Sequence, residues 1–146
     1  STVAKLLSKK ISNSALIEID VFHEMIEWMS IDRAVPLNLE NAISVVKNFS
    51  NNKINVIVPY PLSQKNYDYM IKSLSDLNEE IHTFTLAPSI EKVLMNRGSR
   101  ELSEWEKERV KYHYDIGIHK PMFGEIIDNS NITPEQTAEI IISKIT

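Results

Sequence analysis

The alternation of short β-rich runs with helical periodicity is the feature that most constrains the fold of this chain. Four runs have the apolar and β-branched content of strands, and helical patterns separate them along the chain. They are residues 15–19 (ALIEI), 54–58 (INVIV), 81–86 (IHTFTL) and 125–128 (EIID). Strands that alternate with helices are typical of βαβ units, so the sequence predicts an α/β fold with a parallel sheet.

Start signals mark two of the helices. Thr133 precedes Pro134 and stands three residues before Gln136, the spacing of a capping box with proline at the first helical position. Ser103 and Glu106 repeat the capping-box spacing. Residues 30–38 (SIDRAVPLN) interrupt the helical patterns, and we predict a loop there.

Composition limits the classes of function. A chain of 146 residues with 42% hydrophobic content predicts one domain, residues 1–146. The net charge of −4 gives no electrostatic footprint for nucleic acid or an anionic membrane, and no apolar run is as long as a membrane span. The absence of cysteine excludes disulfides, thiolate metal sites and a cysteine nucleophile. We expect a soluble, cytoplasmic protein with no nucleic-acid or membrane partner.

The first residues, STVAKLL, begin a helix directly with Ser and Thr. This stretch resembles the last part of a Walker A motif, G-x-x-x-x-G-K-[ST], in which the final hydroxyl coordinates Mg²⁺. Further stretches (LIEID, INVIVPYPLS, HTFTLAPSIEKVLMNRGSRELSEWEKERV and GEIIDNSNITPEQTAEII) follow in the order found in P-loop small-molecule kinases. The whole chain thus resembles the branch that includes shikimate-kinase-like and chloramphenicol-phosphotransferase-like enzymes. The alternative for the opening stretch is an ordinary serine N-cap.

That resemblance implies a sheet in the order 2-3-1-4-5, whose central first strand and glycine loop are missing from this sequence. We therefore expect the natural protein to extend about 10 to 20 residues upstream, and the chain alone to bind nucleotide poorly. The implied ligands are ATP and Mg²⁺, with Ser1 and Thr2 at the nucleotide and Ser1 on the metal. The implied partner is a small-molecule acceptor, and the sequence leaves both its identity and the oligomeric state open.

Asp20 is the predicted catalytic residue. A carboxylate at the carboxyl end of a parallel strand faces the crevice where such folds bind ligands. There it can accept the proton of an attacking hydroxyl or take part in the Mg²⁺ site. The alternative is that Asp20 is the N-cap of the following helix.

The resemblance also implies an arginine-rich lid at residues 97–109. Arg97 would pack on adenine, and Arg100 would stabilise the transferred phosphoryl group, whereas Arg109 is interpreted as a structural residue of its helix. The alternative is a surface loop whose arginines pair with Glu101, Glu104 and Glu108. Asn131 and Ile132 would meet the adenine, unless they are only a turn before a capped helix.

Three other positions bear on the chemistry. Arg33 would hold a substrate carboxylate in a shikimate-like enzyme, although a surface role is the alternative. Pro59 stands where an acidic Walker B residue is expected, which leaves more of the metal role to Asp20. His23 lies in HEMIE, which is not the zinc motif H-E-x-x-H, and we predict that it sits on a helix beside Trp28.

Two functions follow. The first is an ATP-dependent phosphotransferase acting on a hydroxyl group of a small molecule. The second is a nucleotide-binding P-loop relative without catalysis, which Pro59 and the missing glycine loop favour.

Overall fold

The computed structural model describes residues 1–95 and 100–146. These residues form two compact units, Ser1–Ile81 and His82–Thr146. Each unit contains one pair of parallel strands with helices before or after them in the chain. The predicted mixed α/β character and the parallel strand direction are therefore confirmed.

The first unit contains six elements. In chain order they are α1 (Thr2–Lys10), β1 (Ser14–Leu16), α2 (Ile19–Glu24), α3 (Ile31–Asn51), β2 (Asn55–Ile57) and α4 (Gln64–Ser73). Strands β1 and β2 are paired in parallel, with Ala15 opposite Val56. Because both strands run in the same direction, the segments that follow Leu16 and Ile57 leave the sheet at the same edge.

The core of the first unit lies between this strand pair and helices α2, α3 and α4. Four of its buried members, Leu39, Ala42, Ile43 and Val46, lie at helical spacing on α3. The other buried members are Ile17, Ile19, Met70 and Leu74, and all eight are apolar. Ile19 and Ala42 are fully buried. Helix α2 is therefore anchored by its first residue.

Helix α3 shows that the predicted loop at residues 30–38 is wrong. The helix begins at Ile31 and includes Pro36. A proline inside a helix costs about 3 kcal/mol. Burial of Leu39, Ile43 and Val46 on one face contributes roughly 1.5 to 3 kcal/mol for each side chain, which outweighs that cost.

The second unit contains five elements: β3 (Phe84–Leu86), α5 (Ile90–Leu94), α6 (Glu104–Asp115), β4 (Glu125–Ile127) and α7 (Pro134–Ile145). Strands β3 and β4 are parallel, with Thr85 opposite Ile126. Both predicted capping boxes, at Ser103 and at Thr133, are present. The buried apolar residues of this unit are Leu102, Phe123, Ile127, Ala138 and Ile141.

All four predicted strands exist, but each is three residues long and therefore shorter than predicted. The largest difference lies after β1, where Ile19 already belongs to helix α2. In the predicted order 2-3-1-4-5, the second and third strands are neighbours, as are the fourth and fifth. The pairs β1–β2 and β3–β4 correspond to these neighbours, and the complete order 2-3-1-4-5 stays a prediction.

No helix in the described part of the chain is both long enough and apolar enough to span a bilayer.

Candidate functional site

The side chains that follow β1 and β2 meet at the carboxyl edge of this strand pair. Helix α2 begins three residues after the end of β1 and carries Asp20 and His23. Tyr60 follows β2 by three residues. The Nε2 atom of His23 and the hydroxyl oxygen of Tyr60 are 3.2 Å apart, and the two rings stack with their centroids 6.1 Å apart. Open α/β sheets bind their ligands at this edge.

A buried asparagine orients His23. Asn38 lies on the buried face of α3 and is 1% exposed. Its Nδ2 donates to Nδ1 of His23 over 2.7 Å, and its Oδ1 accepts from Nδ2 of Asn41 over 3.3 Å. Since Nδ1 of His23 accepts this bond, the proton of the neutral ring is on Nε2 and is donated to Tyr60.

Asp20 lies beside His23, but not as the sequence suggested. It is the second residue of α2 rather than the last residue of a strand, and the N-cap is Glu18, so the N-cap alternative for Asp20 is also wrong. Asp20 is exposed. A carboxylate in a first helical turn is stabilised by the helix dipole.

Ser1 and Thr2 lie at the start of α1. The Ser1 hydroxyl accepts from the backbone N–H of Ala4 over 3.4 Å, which is an N-cap bond, and Thr2 is the first helical residue. The first turn of α1 contains no acidic residue. The N–H groups at such a helix start favour anions, so the capping role of Ser1 is compatible with a nearby phosphate.

Arg33 lies in the first turns of α3 and is exposed. It therefore belongs to a helix and not to the loop in which the sequence placed it. A role for Arg33 at a substrate carboxylate stays a prediction.

Arg100 is held by a carboxylate. Its guanidinium is 2.9 Å from Oε1 of Glu106, and Oε2 of Glu106 accepts from the backbone N–H of Ser103 over 2.8 Å. The Ser103 N–H and, after it, Arg100 lower the pKa of Glu106. Arg100 thus has an acidic partner, though not one of the three that the sequence suggested. Arg97 lies outside the described residues.

Arg109 packs over an aromatic ring, with its guanidinium carbon 5.3 Å from the ring centroid of Tyr112. This cation–π contact supports the structural interpretation of Arg109. Burial and then the charge of Arg109 lower the pKa of the neighbouring His113.

The turn after β4 contains Asn131, which is exposed, and Ile132, which is half-buried. The turn is tied to the segment after β3 because the Ser130 hydroxyl accepts from the backbone N–H of Ser89 over 2.8 Å. Ser130 also donates to Asp128, by its hydroxyl and by its backbone N–H, and these two bonds lower the pKa of Asp128.

Two buried polar atoms of the second unit have no hydrogen-bond partner among the described residues, namely Nδ1 of His119 and Oδ1 of Asn129. The His119 ring stacks on Tyr114 with the centroids 4.2 Å apart. The Tyr114 hydroxyl donates to the carbonyl of Pro88. Burial, and then the charges of Asp128 and Glu91, raise the pKa of Tyr114. Oδ1 of Asn129 is able to accept a hydrogen bond from a polar ligand, and Nδ1 of His119 is able to accept or donate one, depending on the tautomer of its ring.

The described residues include no group of three or more His, Cys, Asp and Glu side chains that could hold a metal ion. At the end of β2, Pro59 follows Val58 and supplies no carboxylate.

The sequence interpretation missed the contacts of His23 with Asn38 and Tyr60. It placed His23 on a helix, which is confirmed, but beside Trp28, whereas Trp28 is 77% exposed. A signal was present in the sequence, since Asn38 lies at helical spacing among Ala34, Leu39 and Ala42. Because residues 30–38 were predicted as a loop, Asn38 was not assigned to the buried face of a helix.

The predicted site residues divide between the two units. Ser1, Thr2, Asp20 and Arg33 belong to the first unit, and Arg100, Asn131 and Ile132 belong to the second. The structure thus describes one set of predicted residues in each unit.

Comparison with known proteins shows the fold. No family model matches the chain, and no curated protein matches it. A solved structure, that of the Deinococcus radiodurans tunicamycin resistance protein, is similar with a TM-score of 0.67 and 18% sequence identity, over 99% of this chain and 90% of that chain. Together with the parallel strand pairs, this similarity shows that the chain has a mixed α/β fold.

Proposed function

We propose that this protein is a phosphotransferase that moves the γ-phosphoryl group of ATP to a hydroxyl group of a small molecule. The observation that carries the proposal is the exposed carboxylate of Asp20, which lies just beyond the carboxyl end of β1 in a parallel strand pair. Ligands of open α/β sheets bind at that edge. The shared fold with a tunicamycin resistance protein supports a small-molecule substrate.

In the proposed reaction, the acceptor oxygen forms a bond to the γ-phosphorus while the bond from that phosphorus to the β–γ bridging oxygen breaks. The products are the phosphorylated acceptor and ADP. The proton of the acceptor hydroxyl passes to Asp20 and then to solvent. Asp20 acts mainly by orienting the hydroxyl, because little proton transfer is needed in a loose phosphoryl-transfer transition state.

The nucleotide side of the proposal uses the start of α1. The Ser1 and Thr2 region offers helix N–H groups without an acidic residue in the first turn, which suits phosphate. Arg100 would exchange its bond to Glu106 for one to the γ-phosphoryl group, with Arg97 on the adenine. Asn131 and Ile132, in the turn after β4, would contact the adenine.

The oxygen atoms of Ser1 and Asp20 are of the ligand type that Mg²⁺ prefers. Magnesium prefers oxygen ligands and usually keeps several waters beside one or two protein ligands and substrate phosphates. The Ser1 hydroxyl and the Asp20 carboxylate are such ligands, and a site of this size needs no larger protein cluster. When bound, the ion would neutralise phosphate charge.

A second candidate function is nucleotide binding without phosphoryl transfer. The observation that favours it is Pro59, which leaves the end of β2 without a carboxylate. The same experiment separates the two functions.

The experiment measures Mg-ATP binding by calorimetry, and ADP release with glucose and with uridine as acceptors, on the natural full-length protein. We expect micromolar binding and acceptor-dependent ADP release. Asp20→Asn is expected to weaken Mg-ATP binding, because Asp20 is a proposed Mg²⁺ ligand, and to lose about 100-fold or more in the rate.

Asp32→Asn is the matched control, since Asp32 is also an exposed second residue of a helix, α3. It should leave both measurements unchanged. Binding without ADP release from any variant would favour the second candidate. Absence of Mg-ATP binding would contradict both.

A further inference from the structure

We infer that His23 and Tyr60 form an acceptor-positioning pair beside Asp20, and that this pair selects an uncharged, polyhydroxylated small molecule. The inference rests on the proposed function for the role of Asp20. It adds the residues that would hold the acceptor and the chemical class of that acceptor.

The side chains of His23 and Tyr60 meet from the ends of two different strands. His23 follows β1 and Tyr60 follows β2, yet their polar atoms are 3.2 Å apart. Asp20 precedes His23 by three residues on α2, and residues at this spacing have Cβ atoms roughly 5 to 6 Å apart on one side of a helix. Two polar groups and one carboxylate thus lie together at the ligand-binding edge of the strands.

The buried residue Asn38 maintains the orientation of His23. Asn38 is a polar side chain on a face of α3 that otherwise buries apolar residues. Burial of an amide is unfavourable unless it is hydrogen-bonded, and Asn38 Nδ2 bonds Nδ1 of His23. Its effect is to fix which ring nitrogen carries the proton, so that Nε2–H points to Tyr60.

The pair contacts a ligand through Tyr60, because both ring nitrogens of His23 are already bonded. A tyrosine hydroxyl has one proton and two lone pairs, so accepting from His23 does not by itself exhaust its bonding capacity. One ligand hydroxyl can then contact Tyr60 while a neighbouring one contacts the Asp20 carboxylate, which suits a molecule with adjacent hydroxyl groups. Half-burial of His23 and Tyr60 leaves room for such contact.

The residues of α2 around His23 are acidic. Asp20 and Glu24 are exposed and lie three residues before and one residue after His23 on this helix. Neither makes an ion pair with any residue that the structure describes. This acidic surrounding repels an anionic acceptor. The inference therefore competes with the prediction that Arg33 holds a substrate carboxylate.

The test uses three probes that share a pyranose ring and differ in charge, namely glucose, glucosamine and glucuronate. Each is titrated into the full-length protein while NMR follows the His23 ring and the Tyr60 ring, without ATP. We expect glucose to shift both rings at lower concentration than glucuronate does, with the Nε2–H tautomer retained. Shifts from glucuronate alone, or from no probe, would overturn the inference.

Variants then separate positioning from structure. Gln can place an amide N–H near the position of Nε2, whereas Asn reaches only the position of Nδ1. His23→Gln should keep the KM for glucose within about twofold, and His23→Asn and Tyr60→Phe should raise it about tenfold, the size of one hydrogen bond. Tyr69→Phe, at an exposed tyrosine of the same unit, is the control and should change nothing.

The two proposals fail in distinguishable ways. If the protein binds no Mg-ATP but glucose shifts the His23 and Tyr60 rings, the phosphotransferase proposal fails and the binding pair stands. If ADP forms with glucose but His23→Asn and Tyr60→Phe leave KM unchanged, the pair is refuted while phosphoryl transfer stands.

Discussion

Asn38 donates a hydrogen bond from Nδ2 to Nδ1 of His23 over 2.7 Å, from a position that is 1% exposed. The bond joins the buried face of α3 to the side of α2 that carries Asp20. Its strength can be measured by a double-mutant cycle of Asn38→Ala and His23→Ala in urea denaturation. We expect a coupling free energy of about 1 kcal/mol.

The control cycle for this bond combines Asn38→Ala with Lys47→Ala. Lys47 lies on the same helix but pairs with Asp76, so it shares no partner with Asn38. The effects of Asn38→Ala and Lys47→Ala on the free energy of unfolding should therefore be additive to within about 0.5 kcal/mol. Equal coupling in both cycles would show that Asn38 and His23 do not interact specifically.

Thr133 is expected to stabilise α7 through its capping box. Its hydroxyl accepts from the backbone N–H of Gln136 over 3.1 Å, and its own N–H donates to the Gln136 side chain over 2.9 Å. Thr133→Ala should lower the free energy of unfolding by about 1 kcal/mol. Ser143→Ala, at an exposed residue of the same helix, should change it by less than about 0.5 kcal/mol, and the prediction fails if both variants cost the same.

Substitutions at Gly124 and Gly117 distinguish the cost of steric contact from the cost of backbone strain. Gly124 and Gly117 both have positive φ, at 67° and 79°. A Cβ at Gly124 would lie 2.5 Å from the carbonyl oxygen of Thr83, whereas one at Gly117 meets no atom within 4 Å. Gly117→Ala should cost about 1 kcal/mol from strain alone.

Gly124→Ala should lower the free energy of unfolding by about 1 kcal/mol more than Gly117→Ala does, because the backbone at Thr83 must move to accommodate the added Cβ. The movement would affect the bond from Glu125 N–H to Thr83 O, which is 2.9 Å long. Thermal unfolding of both variants tests this, and equal midpoints would contradict the predicted contact.

Glu106 should make stability depend on acid pH. The Ser103 N–H and Arg100 lower its pKa in the folded state. A group with a depressed folded pKa contributes stability that is present above its ordinary pKa and is lost as pH falls through the folded pKa. Stability of the wild type should therefore fall between about pH 5 and pH 3 more steeply than that of Glu106→Gln.

The matched control is Glu108→Gln, an exposed glutamate on the same helix. Urea denaturation at several pH values should give this variant the same pH dependence as the wild type. Other carboxylates with lowered pKa, such as Asp76 and Asp128, affect all three proteins equally, so the difference between variants isolates Glu106. If the difference in stability between the wild type and Glu106→Gln did not change with pH, Glu106 would not contribute to the pH dependence.

Local signals predicted much of this protein. The hydroxyl of Thr133, the proline after it and the glutamine at capping-box spacing specify a helix start by short-range hydrogen bonds, so the sequence alone determined it. The strand pattern at residues 54–58 likewise located β2, and its position before a helix indicated a parallel sheet. These features depend on neighbours along the chain.

Features that depend on distant residues were decided only by the tertiary structure. The stretch at residues 30–38, which includes Pro36, was predicted as a loop, but burial of Leu39 and Ile43 in the first unit's core kept Pro36 within α3. The sequence determined that His23 lies on a helix, because that follows from local periodicity. Only tertiary packing decided its partners, because Asn38 and Tyr60 are 15 and 37 residues away in the chain, and no local pattern records contacts at that separation.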